Sequence, residues 1–256
     1  MTDRQLALIT GASTGIGRSL GEMAARDGYD VLLVSDEPVI EHPMDLTATR
    51  VDVTTLCADL STSGGRDMVM QALGGRVPAI CAANAGRGLG NAFVDQSPKD
   101  ILGLLDINVI GTTMLVHRIA GDMARRGSGR ILLTGSIVGE APGPYQAVYN
   151  ASKAYVNQLA PGLRDELGRR GVSVTCLLPG ATRTRLFKRA RLETSWLGRG
   201  PKSDPDKVAR LAWRALLRGR AKIVPSLHNK AAMTIFSLLP DTLLARLHRA
   251  LARPRP

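Results

Sequence analysis

The chain has 256 residues, 44% of them hydrophobic, enough to bury a substantial core in one α/β domain. Its three cysteines, Cys57, Cys81 and Cys176, are scattered in short apolar runs without ligand spacing, which argues against a disulfide framework and suits a reducing cytosol. The net charge of +12 is unevenly placed: 16 basic and 18 acidic side chains up to Thr182 give −2, and 18 basic and 4 acidic from Arg183 onward give +14.

That C-terminal excess, mostly arginine, reads as a solvated basic face; the sharper alternatives are an anionic substrate or an anionic membrane surface. Nucleic acid is not an expected partner, because no stacking aromatics are interleaved with the basic residues. The apolar stretches fall short of the roughly 20 residues a membrane helix requires. With a first strand beginning near Gln5, no signal peptide is expected either, and a cytoplasmic location follows.

Short β-rich runs alternate with longer segments of helical spacing. Strands are expected at residues 6–10, 30–34, 53–58, 79–83, 129–135, 173–178 and 222–224. Helices are expected at 15–27, 65–73, 99–125, 149–169 and 205–217, with Pro161 kinking the fourth. Near-continuous apolar strands separated by helices call for one doubly wound, Rossmann-type domain: a parallel sheet of about seven strands, covered on both faces. Two stretches stand outside the alternation, an arginine-rich segment at 181–204 and an extension at 226–256.

After the first strand, Gly11, Gly15 and Gly17 allow a sharp turn and a close backbone approach to a pyrophosphate, which the following helix faces with its N-terminal amides. Asp59-Leu60 and Asn84-Ala85-Gly86 lie at later strand ends, where an open parallel sheet binds ligands; a helix cap for Asp59 and a plain turn for Asn84 are the alternatives. Tyr149 and Lys153 stand one helical turn apart, and Ser136 lies thirteen residues before Tyr149. A free tyrosine has a pKa near ~10, and an adjacent ammonium favours the phenolate. Tyr149 is therefore the expected proton donor to a carbonyl oxygen, Lys153 its activator, and Ser136 a hydrogen-bond donor to the developing charge.

These pieces resemble the short-chain dehydrogenase/reductase family from the N-terminus to about Pro225. The resemblance is carried by residues 10–17, Asp59-Leu60, Asn84-Ala85-Gly86, Asn108-Val109-Ile110-Gly111, Ser136, Tyr149-Asn150-Ala151-Ser152-Lys153, and Pro179-Gly180 with Thr184. Ala83 stands where the family usually has asparagine. The resemblance implies an oxidoreductase moving hydride between a nicotinamide cofactor and a ketone or secondary alcohol. It implies a cofactor site of Gly11, Ser13, Thr14, Gly15, Ile16, Gly17, Asp36, Asp59, Leu60, Asn84, Ala85, Gly86, Tyr149, Lys153, Pro179, Gly180 and Thr184. It also gives Lys153 a hold on the nicotinamide ribose and Asn108 a place in a water-linked proton relay. No metal is expected.

Asp36 and Glu37 follow the second strand and would repel a 2′-phosphate, so NAD(H) is expected over NADP(H), although Arg18 is within reach of a phosphate; the alternative is that both acids face solvent. The resemblance makes 181–204 a lid, where Leu186, Phe187, Leu192, Trp196 and Leu197 form an apolar wall interspersed with Arg183, Arg185 and Arg189. A small, mainly hydrophobic carbonyl or alcohol substrate is expected, optionally with an acidic end. The extension should form two short amphipathic helices, split at Pro240-Asp241, that cover the body or seal a dimer; a membrane surface is less favoured. A homodimer or homotetramer is expected. His42, His117, His228 and His248 have no triad or metal spacing. Two other classes compete: a dinucleotide-sensing protein without turnover, and a membrane-peripheral lipid-modifying reductase.

Overall fold

The computed structural model describes residues 4–38, 50–190 and 195–253, without the side chains of Lys188 and Leu197. Seven strands, β1 Leu6–Thr10, β2 Asp30–Ser35, β3 Val53–Cys57, β4 Ile80–Ala83, β5 Gly129–Thr134, β6 Val172–Leu177 and β7 Lys222–Ile223, form one sheet in the order β3-β2-β1-β4-β5-β6-β7. All neighbours are parallel, with Leu8 opposite Leu32 on one side and Cys81 on the other. The chain runs outward from β1 to β3 and then returns beside β1. That reversal opens a crevice at the carboxyl ends of β1 and β4, where the functional loops gather.

Helices cover both faces, as expected. On one side lie α1 Gly15–Arg26 and α8 Pro205–Leu217, which bury Ile16, Leu20 and Ala24 with Val208, Ala212 and Leu216 against β1, β2 and β4. Asp204 caps α8 by accepting from the Asp206 amide, and Pro205 opens it, so the helix begins where the sequence signalled. On the other side lie α2 Ser63–Leu73, α4 Thr112–Arg126 and α5 Ala147–Gly168. α5 runs unbroken through Pro161. Cys57, Cys81 and Cys176 are all free thiols.

The helix expected at 99–125 is three pieces: α3 Pro98–Leu105, a π-helical turn at Asp106–Gly111, and α4. A wider turn leaves the apolar periodicity nearly unchanged, so the pattern did not reveal it. The joined stretch Pro98–Arg126 has 29 residues and contains an 18-residue window of mean hydropathy 1.3, long and apolar enough by length and composition to cross a membrane. That corrects the expectation that no apolar stretch is long enough. Its inner face, with Leu104, Ile107, Leu115, Ile119 and Met123, is buried in the protein.

Within 181–204 lie two single-turn helices, α6 Leu186–Arg189 and α7 Trp196–Arg199. The extension forms α9 Leu227–Leu238 and α10 Asp241–Ala252, separated at Leu239-Pro240. Both lie on the body. Met233 packs against the core, Leu244 and Ala252 are buried, and His248 Nδ1 is 3.1 Å from the Pro144 carbonyl. Burial pushes the His248 pKa below its ordinary value. Leu243, Leu247 and Leu251 remain exposed.

Candidate active site

A cavity of about 410 Å³ opens at the carboxyl end of the sheet, and the predicted residues converge there from six loops. The first turn shapes its floor. Gly11 and Gly15 hold φ of 65° and 61°, in the left-handed region that L side chains rarely adopt. A Cβ on Gly17 would overlap the Gly11 carbonyl, and one on Gly15 would come within 2.6 Å of Thr184 Cγ2. The turn can therefore close in this shape only because these positions are glycine. Gly11, Ser13, Thr14 and Ile16 line the cavity, whereas Gly15 and Gly17 shape it from behind.

Asn84 lines the cavity and also ties strand ends together. Its Nδ2 donates to the Thr10 carbonyl at 3.2 Å, and its Oδ1 accepts from Thr134 Oγ1 at 3.2 Å. Thr10 Oγ1 in turn accepts from the amides of Asn84 and Ala85, both at 3.0 Å. The side chain thus ties together the ends of β1, β4 and β5, with Ala85 and Gly86 exposed to the cavity beside it. Both ends of the Asn84 amide are thereby committed to the protein.

Asn108 is almost fully buried in the π-helical turn, and the cavity does not reach it. Its Oδ1 accepts from the Arg87 amide at 2.9 Å, while Nδ2 donates to the Arg87 carbonyl and Ser152 Oγ, both at 2.9 Å. It fixes the loop after β4 to α5. Asp59 also lies outside the cavity wall, where its carboxylate accepts from the Ser61 amide at 3.0 Å. Burial pulls the Asp59 pKa up, but the Ser61 hydrogen bonds and the Arg87 charge outweigh it and hold the carboxyl below its usual range. Leu60 lines the cavity.

Ser136, Tyr149 and Lys153 share the opposite wall. Ser136 Oγ donates to the Pro179 carbonyl at 3.2 Å, and its backbone is clamped by Asn157, whose Oδ1 accepts from the Ser136 amide and whose Nδ2 donates to the Ser136 carbonyl. Lys153 Nζ donates to the Thr134 carbonyl at 2.8 Å. Burial pushes the Tyr149 phenol up to about 12, which the Ser136 hydroxyl opposes only in part. Burial likewise pushes the Lys153 ammonium down to about 8. Burial thus dominates the phenol, with the Ser136 hydroxyl as the group that opposes it. Pro179, Gly180 and Thr184 complete the wall as expected.

At the outer end, Asp36 lines the cavity, but neither acid after β2 stands alone. Arg87 Nη2 lies 3.0 Å from Asp36, Arg185 Nη1 lies 3.2 Å from Glu37, and Arg189 also pairs with Glu37. These cations come from the loop after β4 and from the lid, too far away in sequence for a local reading to find. Arg18 is turned away, 3.2 Å from Glu22. In the lid, Leu186 and Phe187 line the cavity, whereas Trp196 is 54% exposed and does not. Leu192 lies outside the described residues, as do the Leu197 side chain and His42.

Gln146, His228 and Asn229 are among the cavity residues that escaped the sequence reading. Gln146 precedes Tyr149 by one helical turn, a signal that was there to use. The other two come from α9, and nothing local announces that the extension folds back onto the site. No group of three or more metal-ligating side chains is found among the described residues.

The model of the short chain dehydrogenase family matches residues 5–195. The chain is 33% identical over 191 residues to a short-chain type dehydrogenase/reductase of Sinorhizobium fredii, covering 74% of this chain and 75% of that one. Among solved structures it is similar to a short-chain dehydrogenase from Sphingobium yanoikuyae in complex with NADPH, at 31% identity and a TM-score of 0.81, covering 92% of this chain and 96% of that one. It is also similar to the bulky-bulky ketone specific alcohol dehydrogenase from Comamonas testosteroni, at 30% identity and a TM-score of 0.77, covering 93% and 96%. The chain belongs to the short-chain dehydrogenase family of oxidoreductases.

Proposed function

We propose that the protein interconverts a mainly hydrophobic ketone and its secondary alcohol, with a nicotinamide dinucleotide as hydride carrier. The observation that carries this reading is the convergence of Ser136, Tyr149 and Lys153 on the cavity whose floor is the glycine turn. The cradle fits a dinucleotide, since Cβ atoms on Gly15 and Gly17 would occupy or distort the approach. When bound, the cofactor supplies or accepts the hydride. Ser136 holds the substrate oxygen, and Tyr149 donates the proton in reduction and takes it in oxidation. Lys153 serves the ribose and carries positive charge towards Tyr149. Asn84 and Asn108 act as positioning residues behind them. The intact set speaks against a binding protein without turnover.

For the cofactor, NAD(H) is the preferred partner and NADP(H) is accepted. Asp36 faces the cavity and can accept from ribose hydroxyls, which supports the preference. Arg87 offsets part of its charge, so the discrimination is smaller than two bare carboxylates would give. The NADPH-bound Sphingobium relative agrees with that tolerance. Leu186 and Phe187 support an apolar substrate, in keeping with the ketone specificity of the Comamonas relative. Exposed Ile110, Met114 and Tyr155 on neighbouring elements support a homodimer or homotetramer. A cytoplasmic setting, with the extension as cover rather than membrane anchor, completes the reading. The test is a panel of hydrophobic ketones and secondary alcohols with each cofactor, followed at the nicotinamide absorbance band. Absence of turnover across the panel with full dinucleotide binding would favour the sensor instead.

A further inference from the structure

Gln146 and Asn229 are buried amides, 4% and 6% exposed, and both line the cavity. Among the described residues neither side chain has a hydrogen-bond partner, whereas Asn84, Asn108 and Asn157 are all hydrogen-bonded. A primary amide carries two donors and an acceptor with two lone pairs, and on these two residues they open to the cavity rather than to the protein. Water or a ligand must serve these two.

Their placement says which part of a ligand they would meet. Gln146 sits at the N-terminus of α5, one helical turn before Tyr149. Asn229 presses on Gly180, so closely that a Cβ there would overlap its amide nitrogen. Gly180 follows Pro179, whose carbonyl takes the Ser136 hydroxyl. The two amides therefore approach the residues proposed to hold the reacting oxygen from two sides, one from α5 and one from α9. Around them the cavity has apolar Val138, Leu186 and Phe187 together with polar Thr182 and His228.

We propose that Gln146 and Asn229 form a polar subsite that reads a second oxygen function next to the reacting carbonyl. The substrate class is then a largely apolar vicinal hydroxyketone or diketone in reduction, or a vicinal diol in oxidation. Both amides can donate to and accept from a hydroxyl, and each donates to a second carbonyl. The hydride and proton steps are unchanged: hydride reaches the carbonyl carbon, Tyr149 protonates its oxygen, and the second oxygen is only held. The inference rests on the ketone reading above and deepens it.

Propiophenone and 2-hydroxypropiophenone are suitable probes, differing by one hydroxyl on the adjacent carbon. Specificity constants are measured for both with NADH and NADPH, using the wild type, Gln146→Leu, Asn229→Leu and the double variant. The expected result is a wild-type preference of about tenfold or more for the hydroxyketone, because a site built to hydrogen-bond a hydroxyl rejects the analogue lacking it. That ratio should fall towards parity in the variants, furthest in the double variant. Gln146→Met and Asn229→Ala serve as second variants if a leucine variant melts early, and the wild-type ratio needs no variant at all. Equal specificity constants in the wild type would overturn the subsite while leaving the ketone reading intact. A preference that survives both substitutions would also overturn it, since it would then come from the activating effect of the hydroxyl on the carbonyl. A higher KM for the cofactor in Asn229→Leu, with the ratio unchanged, would assign that amide to the nicotinamide end and overturn the subsite. Failure to reduce either ketone would overturn the ketone reading and the subsite with it.

Discussion

Around the glycine turn, Asn84 at the cavity and Asn108 behind it commit both ends of their amides to other protein groups; beside Tyr149 and Gly180, Gln146 and Asn229 commit neither. The first region is held by hydrogen bonds among β1, β4, β5 and α5, so it keeps its shape before anything binds. The second is completed by the lid and by α9. A scaffold that accepts one invariant cofactor gains from rigidity, while a wall that selects a substrate must leave polar groups unassigned.

The sharpest way to test the rigid side is at its chemistry. Tyr149→Phe should lower turnover by roughly 10²–10⁴-fold while leaving cofactor binding nearly intact, because only the proton donor is removed. Stopped-flow or steady-state rates with fluorescence titration of the reduced cofactor would check both halves. Wild-type turnover in this variant would end the assignment.

Next in size is Asn84→Ala, which leaves the Thr10 carbonyl and the Thr134 hydroxyl without their shared partner. A loss of about 1–3 kcal/mol in unfolding free energy is expected, together with weaker cofactor binding. Denaturant titration is the measurement, and an unchanged midpoint would mean the three strand ends hold without it.

Truncation after Pro225 tests the completed side. It removes His228, Asn229 and the His248 contact to Pro144, and uncovers Met233's place in the core. The melting temperature should fall, and turnover of hydrophobic ketones should weaken. Co-sedimentation with anionic vesicles that weakens with salt and vanishes on truncation would instead make the extension a membrane element.

A smaller effect is expected at the outer end of the cavity. Arg87→Ala frees Asp36, so the ratio of specificity constants should move further towards NADH. A shift towards NADPH would show that Asp36 points away from the ribose. A pH effect on stability is also expected. The Lys153 pKa is depressed in the folded protein, from 10.5 to about 8, so its contribution is present above about 10.5 and lost as pH falls through about 8. Wild type should therefore gain melting temperature relative to Lys153→Met as pH rises across that window. Parallel curves would mean the ammonium is better solvated than its burial implies.

How much of this was legible in the sequence follows the same division. The strands announced themselves as apolar runs, and α8 by Asp204 and Pro205 at its start. Ser136, Tyr149 and Lys153 were legible because their chemistry depends on short spacings along one loop and one helix. The π-helical turn was not, because a one-residue widening hardly disturbs an apolar stripe. Arg87 lies 51 residues from Asp36, and Arg185 lies 148 from Glu37, so the true electrostatics of the ribose end exist only after folding. Asn84 was legible as a residue at a strand end that lines the cavity, but its ties to Thr10 and Thr134 appear only once the strands are side by side. Asn229 gave no signal, since its surroundings in sequence are an ordinary amphipathic helix.

The Glu37 pairs with Arg185 and Arg189 also set how the lid rests. All three side chains are at least a third exposed, so the pairs are individually weak and screened by dissolved ions. Rising ionic strength should therefore weaken the tie between the 185–189 turn and the end of β2, while Leu186 and Phe187 keep the cavity side of that turn apolar.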